Sequence, residues 1–592
     1  MKIKIVIFFV FALSVKTIFS QVNLGNVYDR NEKLCLNGKW QIIVDQYDYG
    51  RSRWVAIWED KKPQGKTDFY EYSFDGGPVV DVPGDFNSQI SQLYYYEGTV
   101  WYKKTFDISK KADKRYFICF GAVNYLSEIY LNKNFVGKHE GGFTSFQFEV
   151  TDLLKDGENM LIVCVNNKRS KDNIPALDID WFNYGGITRD VFLVETPESF
   201  IKDNFIQLKK SQVNVVKGWI QLQGSKLNQN IRISIPEAKI EQKLKTDDKG
   251  FAEFEFTAKL VLWSPENPKL YKVNIISETD TINELIGFRT IETKGTDIIL
   301  NGKPIFLKGI NIHEEIPQRR SRAYNETDAI MLLSWAKELG CNFVRLAHYP
   351  HNEYMVRTAE KMGLMIWSEI PVYWGIDFAN PIMQDKLNFM LEEMVMRDKN
   401  RCGIIIWSLS NETSPSEARN KCLKNMAEFC RSIDPTRLLS SALSNIKYSQ
   451  NKVIINDTIV KHLDIIAVNE YLGWYRPWPS KPEEVIWESE FNKPLIISEF
   501  GGEALYGNHG PDDIASSWSE EFQEKLYKEQ IRMFTTIPFL RGTCPWILAD
   551  FNSPRRLHPV FQDGWNRKGL ISDKGFKKKA WFIMKEYYTN KN

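Results

Sequence analysis

Eight short apolar runs separated by helical patterns occupy roughly the last three hundred residues of this 592-residue chain. The runs are Phe306–Ile312, Cys341–Arg345, Gly363–Trp367, Gly403–Ser408, Leu438–Leu443, Leu463–Val468, Pro494–Ser498 and Arg541–Leu548. Between them lie helical patterns over Glu326–Leu339, Asn352–Met362, Ile382–Asp398 and Ser416–Ile433, the first opened by Asn325 and stopped by Gly340. Aliphatic runs that do not alternate with polar residues suit strands covered on both faces, as in a parallel sheet. Strands alternating with helical patterns, eight strands in all, predict a (β/α)8 TIM barrel over residues 293–592. Such barrels keep their chemistry at the C-terminal tips of the strands. Glu412 closes the run Gly403-Ile-Ile-Ile-Trp-Ser-Leu-Ser-Asn-Glu412, and Glu499 closes Pro494-Leu-Ile-Ile-Ser-Glu499. Two carboxylates across a barrel mouth can cleave a glycosidic bond, one as acid and base and the other as nucleophile. For either glutamate alone, a strand-end residue paired with a basic side chain is the competing reading.

Upstream the texture is short alternating segments broken by Gly, Asn and Asp. Residues 21–197, with Val100–Phe106, Ser127–Leu131, Met160–Val165 and Val191–Val194, predict an antiparallel β jelly-roll sandwich. Residues 198–292, with Gly218–Gln223, Ile231–Ile235 and Tyr271–Ile275, suit a small immunoglobulin-like β-sandwich. A multidomain chain is what the length demands, since single cores stop growing near ~250–300 residues.

A net charge of +2 gives no field for nucleic acid or anionic membranes. Aromatic residues make up 13% of the chain, including 18 Trp, enough to offer exposed rings to sugars beyond what packing uses. Lys2 and Lys4 followed by the apolar Ile5–Val15 read as a signal peptide over residues 1–20, too short to span a bilayer. No later segment reads as a membrane span, so a soluble exported protein, periplasmic or secreted, is expected. The eight cysteines are scattered, several within strand-like runs, and read as buried free thiols, with no disulfide framework and no metal cluster. No cofactor or metal is expected, and the oligomeric state, a homo-oligomer included, is left open.

In this order along the chain, Val82-Pro-Gly-Asp-Phe-Asn87, Trp101-Tyr102, Asn183-Tyr-Gly-Gly-Ile-Thr-Arg-Asp190, Leu262-Trp-Ser-Pro-Glu-Asn-Pro-Lys-Leu-Tyr271 and Lys308-Gly-Ile-Asn-Ile-His-Glu314 resemble glycoside hydrolase family 2, and within it the β-glucuronidases. The resemblance covers nearly the whole mature chain. It implies that Glu412, after Asn411 on strand four, is the acid/base and that Glu499, on strand seven, is the nucleophile of a retaining, exo-acting hydrolase. Retention needs the two carboxyls about 5–5.5 Å apart, with the acid's pKa raised by burial and its anionic neighbour. Asn411 would hydrogen-bond the sugar's 2-hydroxyl. Asn566 and Lys568 in Gly564-Trp-Asn-Arg-Lys-Gly569 resemble the Asn-x-Lys signature by which β-glucuronidases hold the C6 carboxylate. An ammonium and an amide give polar bonds that a neutral hexose cannot reciprocate.

The resemblance further assigns Asp180 to a sugar hydroxyl and His313, His348, Asn469, Tyr471, Trp546 and Asp550 to the pocket wall, with Tyr471 also able to donate to the nucleophile. The expected substrate is a uronic-acid-containing glycan or oligosaccharide. Three departures remove no catalytic group: Thr413 where Pro is usual, Glu315 where Asp is common, and Ser498-Glu499-Phe500 where Thr-Glu-Tyr is frequent. The stretch from Glu369 to Met383 is short, which implies that the pocket-covering loop of some glucuronidases is missing and that the rim is open. A family 2 β-galactosidase or β-galacturonidase is the alternative within enzymes. A non-catalytic carbohydrate-binding protein on the same scaffold would be expected to lack Glu412 or Glu499, and both are present.

Overall fold

The computed structural model describes residues 24–591; the signal segment expected over residues 1–20 lies outside them. Two antiparallel sheets open the chain. One has four strands in the order Lys33–Cys35, Val191–Pro197, Lys114–Phe120, Phe146–Glu149. The other has six, ordered Val79–Val82, Gly38–Asp45, Thr99–Ile108, Gly157–Asn166, Leu126–Leu131, Asn134–Glu140. Side chains alternate across each strand, so Trp40, Ile42, Tyr102, Ile118, Phe120 and Val163 meet in one core between the sheets. A second pair of sheets, with three strands (Phe200–Leu208, Val215–Gln223, Phe251–Thr257) and four (Asn230–Ile235, Ile240–Lys245, Tyr271–Ile276, Thr281–Ile286), encloses Ile206, Ile220, Ile233, Val273 and Ile275.

Beyond a small three-stranded sheet over Ile291–Pro304, eight parallel strands close into a barrel. They are Leu307–Ile312, Phe343–Leu346, Met365–Glu369, Ile404–Asn411, Leu438–Leu443, Ile466–Asn469, Leu495–Glu499 and Leu540–Thr543. The runs that lacked alternation lack it because helices cover the outer face and side chains fill the inner one: every residue of Ile404–Asn411 is buried. Phe343, Met365, Trp367, Ile406 and Ala467 fill the interior, and Ile291, Ile298 and Leu300 of the small sheet join the same cluster.

Helix starts follow side-chain chemistry. Asn325, Asn352, Asn380 and Ser416 each accept a backbone N–H of the first turn of helices Glu326–Leu339, Glu353–Lys361, Pro381–Asp398 and Glu417–Ile433. Two further barrel helices, Glu520–Phe534 and Lys579–Asn590, complete the outer layer. The eighth strand ends at Thr543, earlier than its apolar run suggested, because Pro545 has no N–H to donate to a neighbouring strand. All eight cysteines are free; seven are buried and Cys35 is exposed. Among the described residues no helix is long and apolar enough to cross a membrane, and no group of three or more His, Cys, Asp or Glu could hold a metal ion.

Buried ion pairs join the modules. Arg401, just ahead of the fourth strand, reaches Glu360 of a barrel helix at 2.7 Å and Glu284 of the second sandwich. Arg189 of the first sandwich reaches Glu314 at 3.1 Å and the Pro350 carbonyl at 2.6 Å. Truncating one partner of such a buried pair leaves the other charged and desolvated. Arg401→Ala is therefore expected to cost about 3–5 kcal/mol in urea unfolding. A change under about 1 kcal/mol would mean that the apolar interface alone holds the second sandwich on the barrel.

Candidate active site

The mouth of the barrel is organised by charged residues at strand tips. Arg345, near the end of the second strand, is fully buried and its guanidinium spends its donors on four other strands. It gives Nη1 to Glu499 Oε1 at 2.7 Å, Nε and Nη2 to Glu369 at 3.1 and 3.0 Å, Nη2 to Asn411 Oδ1 at 2.7 Å, and Nη1 to Asn311 Oδ1 at 3.2 Å. Glu369 also accepts from Trp367 Nε1 at 2.7 Å and faces His348 Nδ1 at 2.8 Å. Burial alone would push the Glu369 carboxyl up, but Arg345 and His348 outweigh it and bring the pKa to about 2. Glu499 takes its second hydrogen bond from Tyr471 Oη, 2.8 Å from Oε2. Here burial prevails with the help of the nearby Glu412 charge, and against Arg345 the Glu499 carboxyl lies above its ordinary value.

Glu412 is placed by an irregular strand end. Pairing between strands four and five slips between Ser408 and Asn411, and Asn411, besides pairing with Ala442, bridges Tyr373 of the loop after strand three. Glu412 then turns with φ +53°, a left-handed conformation that costs a non-glycine residue on the order of 1 kcal/mol. Its N–H donates to the Ala442 carbonyl at 2.9 Å, which fixes that turn. Both carboxylate oxygens are held: Oε1 accepts from Asn469 Nδ2 at 2.8 Å and Oε2 from Trp374 Nε1 at 2.7 Å. Ser498 Oγ donates to Asn469 Oδ1 at 2.7 Å, and this orients the Asn469 amide with its nitrogen toward Glu412. Asn411 accepts from Arg345 and from Asn469 through Oδ1.

Glu412 and Glu499 open into one cavity of about 210 Å3. Asp180, His348, Asn469, Tyr471, Trp546, Asn566 and Lys568, all picked out from the sequence, line it. His348 stacks on Trp546 with ring centroids 4.7 Å apart, forming one wall. Lys568 Nζ donates to Tyr475 Oη at 2.8 Å and to Glu503 Oε1 at 3.1 Å. Burial opposes its charge, yet Glu503 and Tyr475 more than offset that and hold the ammonium pKa above the usual lysine value. Asn566 Nδ2 reaches Asp180 Oδ2 at 3.3 Å. Asp180 also accepts from Ser553 Oγ at 2.6 Å and forms a two-pronged pair with Arg556.

Three sequence candidates do not line this cavity: Asn411, buried against Arg345 and Asn469, and His313 and Asp550. His313 lies behind the wall, its Nδ1 3.2 Å from Tyr349 Oη and its ring 4.4 Å from Phe551. Asp550 sits beneath the Asn566–Lys568 loop, accepting from Lys578 Nζ at 2.8 Å and from the Gly569 N–H at 3.0 Å. His313 and Asp550 both lie in stretches rich in wall residues, and the local sequence does not reveal which side of a loop faces the cavity. Conversely, Arg345, Glu369, Trp374, Tyr475, Glu503 and Arg556 were missed as functional residues. Arg345 and Glu369 carry the same signal as Glu499, a charged residue at or next to the tip of an apolar run; Arg556 lies in a loop with no such mark. The short segment after Glu369 still reaches the cavity, since it carries Trp374 to Glu412.

Paired carboxylates at the C-terminal mouth of a (β/α)8 barrel, in a cavity walled by aromatic rings, define a glycoside hydrolase. The chain belongs to glycosyl hydrolases family 2: residues 291–592 match that family's TIM barrel domain and residues 34–197 its sugar binding domain. The β-glucuronidase of Streptococcus agalactiae serotype V is 27% identical over 87% of this chain and 94% of its own length. The β-glucuronidase of Rattus norvegicus is likewise 27% identical, over 87% of this chain and 85% of its own. Among solved structures, a β-glucuronidase from an uncultured Clostridium sp. superposes with a TM-score of 0.81 at 26% identity, covering 95% of this chain and 99% of that one. A β-galacturonidase from Eisenbergiella tayi shares the fold, with a TM-score of 0.80 at 23% identity over 95% and 98% of the two chains.

The depressed Glu369 pKa has a consequence for stability. A carboxyl at about 2 when folded and ~4.3 when unfolded stabilises the fold above the unfolded value, and that contribution is lost as pH falls toward 2. Its size is on the order of 3 kcal/mol. Glu369→Gln is expected to be less stable than the parent at pH 7, with the gap closing as the pH is lowered from about 5 to about 2. Urea titrations across that range measure it; a gap independent of pH would assign the loss to packing.

Proposed function

We propose that this enzyme is a retaining, exo-acting β-glucuronidase that releases terminal β-linked glucuronic acid from glycans or oligosaccharides by double displacement. The observation that carries the substrate class is the Lys568 ammonium, which lines the same cavity as Glu412 and Glu499. Two of its three protons go to Tyr475 and Glu503, so one remains for an anion. The Asn566 amide and the Arg556 guanidinium line the cavity with it. A C6 carboxylate can take that remaining proton in a charge-assisted bond, which a neutral C6 hydroxymethyl matches only with a weaker neutral one. The names of the relatives agree with this reading.

In the proposed cycle Glu499 attacks the anomeric carbon while Glu412 protonates the leaving oxygen, and Glu412 then takes a proton from the incoming water. Arg345 and Tyr471 hold the two Glu499 oxygens in place for attack. Trp374 and Asn469 do the same for Glu412, and Asn411 is proposed to hydrogen-bond the 2-hydroxyl. Asp180, paired with Arg556, would act on the sugar through the geometry of the carboxylate corner. The chain is proposed to be exported, on the strength of Lys2, Lys4 and the apolar Ile5–Val15.

Glu499→Gln is expected to abolish turnover. Glu412→Ala should spare activated aryl glucuronides more than poor leaving groups and be rescued by azide, because only poor leaving groups need the proton. An active Glu499→Gln together with an unrescued Glu412→Ala would reverse or remove these roles.

Lys568→Ala is expected to cut kcat/KM on nitrophenyl glucuronide by roughly tenfold to over a hundredfold, the equivalent of about 1.5–3 kcal/mol, and to leave a neutral galactoside or glucoside nearly unchanged. Equal losses on acidic and neutral sugars would mean that Lys568 supports the loop. Because Lys568 reads the carboxylate and not the C4 configuration, nitrophenyl galacturonide is the control that separates the two uronic acids. Faster turnover of a neutral sugar than of either uronide would overturn the substrate class while leaving the hydrolase.

A further inference from the structure

We propose that a second cavity, between the first sandwich and the barrel loops, is a sugar subsite that binds the glycan chain on the leaving-group side of the catalytic cavity. The inference rests on the glycosidase reading above and deepens it. This cavity has a volume of about 440 Å3, twice that of the catalytic one, and falls in the size range of small-molecule sites. Tyr94, Tyr95 and Phe182 give it an aromatic floor, with Tyr94 4.8 Å from Tyr95 and 4.9 Å from Phe182. Tyr95 is 72% exposed.

The floor is held from below. Asn87 Nδ2 donates to the carbonyls of Leu93, Tyr94 and Tyr96 at 2.8, 3.2 and 3.0 Å, and its Oδ1 accepts from the Gly185 N–H at 2.7 Å. One buried amide thus fixes the whole tyrosine loop, and the platform needs little ordering when a ligand arrives. Two ion pairs form the polar rim: Arg169 with Glu97 at 2.8 Å and Arg555 with Asp178 at 2.6 Å. An exposed Tyr95 ring, set edge-on to Tyr94 and flanked by paired charges, suits a neutral sugar ring, which presents C–H faces and a rim of hydroxyls.

Its position relative to the chemistry follows from a chain of contacts. Trp374 donates to Glu412, and Arg555 lies over the Trp374 ring at 4.8 Å while itself lining the second cavity. In a retaining glycosidase the acid stands beside the departing oxygen, so the leaving chain exits on the Glu412 side. Residues 178–181 and 554–556 contribute to both cavities, Asp180 and Arg556 to one and Asp178 and Arg555 to the other.

The test compares nitrophenyl glucuronide with oligosaccharides of two, three and four sugars that end in β-linked glucuronic acid. For the parent enzyme, kcat/KM should rise about tenfold between the disaccharide and the tetrasaccharide. Tyr95→Ala should abolish that rise and change the aryl glucuronide rate less than about twofold, and Tyr95→Phe should keep it, since the ring and not the hydroxyl provides the stacking surface. No gain with chain length in the parent, or equal losses on short and long substrates in Tyr95→Ala, would overturn the subsite. An enzyme inert toward nitrophenyl glucuronide would overturn the glucuronidase reading instead. In that case calorimetric binding of the tetrasaccharide to Glu412→Gln, lost in the double variant with Tyr95→Ala, still reads the cavity, and equal binding by both variants would refute it.

Discussion

The buried guanidinium of Arg345 is the interaction on which the rest of the site depends. It holds Glu499, Glu369, Asn411 and Asn311, and so ties the tips of the first, third, fourth and seventh strands to the second. A planar fork with five donors can do this, whereas a lysine ammonium with three rotatable donors cannot. Isolated in a dry barrel mouth, any of these charges would be costly. Together they neutralise one another enough for two carboxylates to be held beside a single cation.

That shared cation also explains why the carboxylates differ. Glu369 receives Arg345 through two bonds and is further held by Trp367 and His348, so its charge is secured. Glu499 receives one Arg345 nitrogen and one tyrosine hydroxyl and has Glu412 as an anionic neighbour. The less stabilised carboxylate is the one open to the cavity, the arrangement a nucleophile needs. Glu412 is held only by neutral donors, an indole and an amide.

The corner proposed to read the substrate is assembled from distant parts of the chain. Asp180 comes from the first sandwich, Tyr475 and Glu503 follow the sixth and seventh strands, and Arg556, Asn566 and Lys568 follow the eighth. The sandwich therefore does more than pack on the barrel: it supplies the carboxylate that pairs with Arg556 and the aromatic floor of the second cavity. The ion pairs Arg189–Glu314 and Arg401–Glu284 hold this geometry in register, because a sandwich that slipped would leave buried charges unpaired.

Legibility followed the range of the forces involved. The barrel, its strand order and the placement of Glu412 and Glu499 at the tips of strands four and seven were legible because burial on both faces imprints a local, unbroken apolar run, and caps such as Asn325 and Ser416 mark helix starts within a few residues. Lys568 and Asn566 were legible through a short motif on one loop. The sequence by itself thus determined the fold class and which two carboxylates meet at the barrel mouth. Only the tertiary structure decided that His313 and Asp550 stand behind the wall, that Trp374 and Asn469 grip Glu412, that Arg556 and Glu503 share the corner with Lys568, and that Tyr95 lies open beside Arg555. Each of those contacts joins residues from separate loops or strands, and their meeting is set by barrel closure and by the docking of the sandwich, which no local pattern records.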